Sequence, residues 1–130
     1  MQRALRVLVA NQPRLMRELI VGALTEQPDI EIVGEVTNDA EVPSLVTKIL
    51  PDLVVISMDK TGKRPDLCDT ILHQHPKVRI IAVGFEKNQS VFYWASFNIH
   101  SNEIEPSEEG ILKAARRILA ADAPGSHDAN

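Results

Sequence analysis

The chain predicts an α/β fold: a doubly wound, five-stranded parallel sheet with helices on both faces. Two observations carry this. Apolar, β-branched runs of four to six residues recur along the chain, and segments with apolar residues every three to four positions lie between them. Runs without a polar position mark strands buried on both faces, which belong to parallel sheets covered by helices. Strict alternation of the two element types implies right-handed crossovers.

Four strands are predicted: Leu5 to Ala10, Ile30 to Val36, Leu53 to Ile56 (entered through Pro51-Asp52) and Arg79 to Gly84. The first helix is predicted from Leu15, Met16, Leu19, Ile20, Ala23 and Leu24, with Pro13 at its start. The second is predicted from Val42, Leu45, Val46, Ile49 and Leu50, with Asn38 and Asp39 as candidate caps. Pro28, Pro51 and Pro76 follow helices, which proline cannot continue. A third helix runs from about Asp66 to His75. A last one runs from Ser107 to about Ala121, with Ile111, Leu112, Ala115, Ile118 and Leu119 on its buried side. The segment from Ser90 to His100 is read as a short helix over Val91 to Ser96, then a fifth strand near Phe97 to His100.

With 130 residues, 44% of them hydrophobic, the chain fits one domain, residues 1–121, followed by a disordered tail at 122–130 rich in Ala, Asp, Gly, Ser and Pro. A formal net charge of −4 argues against nucleic acid as a partner of this domain. The single cysteine, Cys68, excludes an internal disulfide and a cysteine-based zinc site. With neither a signal-peptide pattern nor an apolar run of spanning length, the expected location is the cytoplasm, away from the membrane. His73 and His75, two apart on a helix, point to different faces and make a poor metal pair. Glu103, Glu105, Glu108 and Glu109 read as a solvated helix N-terminus. No glycine-rich phosphate loop, nucleophile elbow or His-Glu zinc signature occurs, so neither an enzyme nor a cofactor is expected.

In such sheets chemistry sits beyond the carboxyl ends of the strands. Four segments that lead to or lie at this edge, Arg6-Val-Leu-Val-Ala-Asn-Gln-Pro13, Pro28-Asp-Ile-Glu-Ile-Val-Gly-Glu35, Pro51-Asp-Leu-Val-Val-Ile-Ser57 and Val78-Arg-Ile-Ile-Ala-Val-Gly84, resemble a response-regulator receiver domain, of the style joined to helix-turn-helix output domains. The resemblance implies a flavodoxin-like (CheY-like) strand order 2-1-3-4-5 and a phosphoryl switch of bacterial two-component signalling. In that switch an aspartate after the third strand accepts phosphate. Acidic residues after the first strand hold Mg²⁺, and a hydroxyl residue after the fourth strand and a lysine after the fifth contact the phosphoryl group.

This chain departs from that pattern at every position. The acidic pair maps onto Asn11 and Gln12, the acceptor onto Ser57, the hydroxyl residue onto Gly84 and the lysine onto about Ile104. Neutral amides supply no charge for Mg²⁺, and Ser57 cannot form an acyl phosphate. Asp59, two residues on, is either a relocated acceptor or a solvated loop residue. The resemblance therefore implies a pseudo-receiver that works without aspartyl phosphorylation. The same neutral pocket leaves a second class open, a domain holding a neutral metabolite or a weak anion.

All five aromatic residues, Phe85, Phe92, Tyr93, Trp94 and Phe97, fall within thirteen positions. Three neighbours on one helix cannot all face inward. At least one is expected to be exposed, so Phe92, Tyr93, Trp94 and Phe97, with the last helix, form the expected face for a protein partner or a homodimer.

Overall fold

The four apolar runs do become parallel strands; those at 5–10, 53–57 and 79–84 are largely buried because helices cover both faces, while the run at 30–35 is the sheet's edge and mostly half-buried. The computed structural model describes residues 3–58, 61–84, 89–96 and 99–121. The order is β1 (Leu5–Ala10), α1 (Arg14–Thr25), β2 (Ile30–Glu35), a 3-10 turn (Asp39–Glu41), α2 (Val42–Ile49), β3 (Leu53–Ser57), α3 (Asp66–Gln74) and β4 (Arg79–Gly84). It continues through β5 (Gln89–Ala95), β6 (Ile99–Ile104) and α4 (Glu108–Ala121). The sheet has six strands in the order β2-β1-β3-β4-β5-β6, parallel from β2 to β4.

Alternate strand residues feed two cores. Leu5, Val7, Val9, Val55 and Val83 pack with Ile20 and Leu24 of α1 and Ile111, Ala115 and Ile118 of α4. Leu8, Val54, Ile56, Ile80 and Ala82 pack with Val42 and Val46 of α2 and Cys68, Ile71 and Leu72 of α3. Helices thus cover both faces, and the mostly parallel α/β fold is as predicted.

The helix ends follow local chemistry. Asn38 accepts the Ala40 N–H at 3.0 Å and starts the turn that leads into α2. Ser107 Oγ accepts the Gly110 N–H at 3.1 Å at the start of α4. Gly110 has no alternative there, since a Cβ would stand 2.0 Å from the Glu105 carbonyl oxygen.

Two expectations fail. The segment predicted as a helix over Val91 to Ser96 is strand β5, antiparallel to β4, and β6 returns antiparallel to β5. The sheet is therefore mixed and six-stranded, and the crossover helix is replaced by hairpin connections. The reason is composition: Val91-Phe-Tyr-Trp94 is β-branched and aromatic, which suits a pleated surface. Phe92 packs in the α1/α4 core with Trp94 against it, while Tyr93 packs in the α2/α3 core, so the three adjacent aromatics that cannot share one helix face divide between two sheet faces.

The apolar face of α1 is also narrower than predicted. Ile20 and Leu24 are buried, but Leu15 and Leu19 are 69% and 54% exposed. The face centres on Ile20 and Leu24 and extends to Arg17, which is only 8% exposed. The predicted tail, Phe85, Phe97, Asp59 and the Leu119 side chain lie outside what is described.

Candidate functional site

Parallel pairing brings the ends of β1 and β3 together: Ala10 registers with Ile56, so the next residues, Asn11 and Ser57, lie side by side at the carboxyl edge. β4 ends beside them, with Ser57 registered to Val83. The structure thus unites Asn11, Gln12, Ser57 and Gly84, as the sequence implied.

Ser57 is bound through the backbone of one residue. Its Oγ accepts the Gln12 N–H at 2.7 Å and donates to the Gln12 carbonyl at 2.9 Å. The Gln12 side chain turns away and donates through Nε2 to the Thr37 carbonyl at 2.7 Å. Asn11, fully buried, donates through Nδ2 to the Ile56 carbonyl at 2.8 Å, while its Oδ1 has no partner among the described residues. Met16 Sδ lies 3.9 Å from both Asn11 Nδ2 and Ser57 Oγ and fills the space between helix and loops.

At the β4 end, Met58 packs against Gly84. It is held by its N–H to the Val83 carbonyl at 2.9 Å. A Cβ added at Gly84 would lie 2.8 Å from Met58 Cβ and 3.1 Å from Cγ. The position that would carry a hydroxyl is therefore occupied by a neighbour's side chain.

Ile104 sits at the same sheet edge, but opposite Ser90 of β5, with the whole of β5 between it and β4. The inserted antiparallel strand displaces the expected lysine position by one strand.

Arg17 carried no signal in the sequence, since it belongs to no motif. From the buried side of α1 its Nη1 donates to the Asn11 carbonyl at 3.3 Å, and its Nε stands 3.8 Å from Glu35 Oε1. This brings a fixed positive charge to the loop where the family holds a divalent cation. With no carboxylate at positions 11, 12 or 57 and a guanidinium against the backbone, the residues present do not fit Mg²⁺. No group of three or more His, Cys, Asp or Glu suited to a metal occurs among the described residues.

The aromatic segment is mostly internal. Phe92 and Tyr93 are buried, which removes them as a contact face; Trp94 is half-buried, stacked between Phe92 (5.7 Å between centroids) and His100 (5.2 Å). Burial raises the pKa of Tyr93 and, to about 12, that of its neighbour Cys68, so neither ionises near neutrality. No helix among the described residues is long and apolar enough to cross a membrane.

No protein-family model matches the chain. It is 36% identical over 73 residues to protein-glutamate methylesterase/protein-glutamine glutaminase 1 of Caulobacter vibrioides, and 35% identical over 54 residues to the corresponding protein 3 of Anaeromyxobacter dehalogenans. These matches take in 55% and 42% of this chain but only 21% and 16% of the relatives. Among solved structures it is similar to the response regulator domain of Thermotoga maritima CheB, with a TM-score of 0.56 and 24% identity over 63% of this chain and 61% of that one. The receiver domain of Mycobacterium tuberculosis NarL gives a TM-score of 0.54 and 23% identity over 63% of this chain and 67% of that one. A LuxR-family response regulator from Aurantimonas gives 0.55 and 20% over 62% and 59%. The chain has the fold of a response-regulator receiver domain, with a β5–β6 hairpin where that fold carries its fourth crossover helix.

Proposed function

We propose that this domain is a receiver-type module of signal transduction that works without aspartyl phosphorylation and acts through protein contact. The observation that carries the reading is the closure of Ser57 onto both backbone groups of Gln12. The atom in the acceptor position is a hydroxyl already bonded to backbone, not a carboxylate, and a serine hydroxyl without a base or metal is a weak nucleophile. Gly84 beneath Met58 and Arg17 against Asn11 support the same conclusion from the other two sides. The alternative, a neutral metabolite at this edge, has less support. The Gln12 backbone and the Ser57 hydroxyl already satisfy one another, the Gln12 amide is spent on the Thr37 carbonyl, and Met16 and Met58 bring apolar side chains against the same groups.

The test is an amide NMR titration with Mg²⁺ and then beryllofluoride, following Asn11, Ser57 and Gly84. The expected result is no saturable shift at these amides in a folded protein. Saturable shifts centred on Ser57 would overturn the reading.

A further inference from the structure

The hairpin that replaces a crossover leaves one corner of the sheet without a helix. The chain steps outward from β1 through β3 to β4 with α2 and α3 on one face, and a right-handed crossover out of β4 would lay its helix beside α3 on that face. β5 and β6 return antiparallel instead. Ala95 at the end of β5 and its partner Ile99 at the start of β6 lie on the α2/α3 side and are only half-buried. Between them and α3 opens a cavity of about 430 Å³, within the range of about 300–1,000 Å³ usual for small-molecule sites. It sits at the amino edge of the sheet, away from Ser57, because Tyr93 already registers with Ile80 at the start of β4.

The lining selects the ligand. Leu72 of α3 faces Ala95 and Ile99 across an apolar floor, while Asp69 and His73, one turn apart on α3, and Arg64 form a polar rim. Arg64 donates through Nε to Asp69 Oδ1 at 2.7 Å and through Nη2 to Asp69 Oδ2 at 3.2 Å. This pairing holds the plane of the guanidinium and leaves the edge formed by Nη1 and Nη2 without a second partner among the described residues; His73 has none there either. On the hairpin side Ser96 Oγ is tied to His100 Nε2 at 2.7 Å, which steadies the lip. A fixed guanidinium edge with an imidazole beside it matches the planar, two-oxygen geometry of a carboxylate. Asp69 offsets the Arg64 charge, which disfavours a phosphate dianion and leaves directed hydrogen bonds as the attraction for a singly charged group. The floor then takes an apolar body.

We propose that this corner binds a small carboxylic acid with an apolar body, the carboxylate on Arg64 and His73 and the body on Leu72, Ala95 and Ile99. The site adds a ligand input to the module and does not depend on the state of Ser57. The experiment is an amide NMR titration of the full chain with benzoate and octanoate, an aromatic and an aliphatic acid, beside benzamide, octanamide and acetate. At least one of the two acids is expected to give saturable shifts centred on His73, Ser96 and Ile99, with a Kd tighter than about 5 mM. Its amide, which lacks the charge, and acetate, which lacks the body, should each bind at least tenfold more weakly. Arg64→Gln, at an exposed position, should cost at least tenfold with the rest of the spectrum unchanged. Arg64→Lys, which keeps the charge without the fork, should recover only part of that loss. Binding of both acids weaker than about 5 mM overturns the proposal. So does binding that survives Arg64→Gln, or that the neutral amide or acetate matches.

Discussion

Gly84→Ala tests whether the site is closed by packing. The new methyl would lie 2.8 Å from Met58 Cβ and 3.1 Å from Cγ, against an optimum of about 3.5–4.0 Å for carbon pairs. Met58 cannot swing clear, because the colliding atom is its Cβ and its N–H is bonded to the Val83 carbonyl at 2.9 Å. Overpacking of this kind costs about 1–3 kcal/mol, and replacing a strand glycine returns about 0.5–1 kcal/mol. At the middle of the two ranges the expected net loss is about 1 kcal/mol, read as a lower urea midpoint with unchanged m-value. The second variant sharpens the test. Met58→Ala keeps the colliding Cβ and should not relieve Gly84→Ala, whereas Met58→Gly removes it and should recover about 1 kcal/mol of coupling. A neutral Gly84→Ala, or full rescue by Met58→Ala, would refute the argument.

Arg17→Ala should destabilise by about 1–3 kcal/mol in the same assay, because a buried stem and its bond to the Asn11 carbonyl are lost; Glu35→Gln, on the half-exposed partner, should cost under about 1 kcal/mol. Leu50 closes α2 with φ at 54°, and the side chain is 57% exposed, so Leu50→Gly should raise the urea-derived stability by about 1 kcal/mol. Tyr93→Ala should cost about 3 kcal/mol or more by thermal melting, as a core deletion, and Trp94→Ala less. The Cys68 thiol, pushed up to about 12 by burial, keeps its proton in the folded state after the unfolded chain has released it. The unfolded state then binds fewer protons, so stability is intact below about pH 9 and falls as pH rises toward 12. Cys68→Ala should flatten that decline in melts at stepped pH.

The elements that were legible were those whose local pattern left one choice. Leu53-Val-Val-Ile56 is too short for a helix and too apolar for a surface strand, and Leu53–Ser57 is the observed β3. Val91-Phe-Tyr-Trp94 was misread because both faces of β5 are covered along most of its length, leaving no alternation to separate period 2 from period 3.6. Its β-branched and aromatic content was the arbitrating signal. On α1 the apolar stripe was real but wider than the sheet could cover, so Leu15 and Leu19 fell outside it. The losses at Asn11, Gln12, Ser57 and Gly84 were visible as residue types. That they close on one another was not, since the approach of Met58 to Gly84 and of Arg17 to Asn11 depends on packing between elements far apart in the sequence.

The altered site and the extra hairpin lie at the same edge of the sheet. In a doubly wound sheet each crossover helix leaves the carboxyl edge and leads the chain away from it, so residues after successive parallel strands can converge there. Here β4 turns back at Gly84 into β5, paired from Gly84↔Gln89 to Ile80↔Tyr93. The next parallel strand end, at Ile104, arrives one strand further out. A lysine restored at Ile104 would thus start from the far side of β5, and a threonine restored at Gly84 would collide with Met58. Restoring Asp at Ser57 alone loses the hydroxyl donor to the Gln12 carbonyl, worth about 0.5–1.5 kcal/mol, and places a carboxylate where no metal site exists. Ser57→Asp should therefore lower stability by about 1 kcal/mol or more without conferring beryllofluoride binding. Saturable binding by that single variant, read in the same amide titration, would mean that the edge is more open than Met58 and β5 allow.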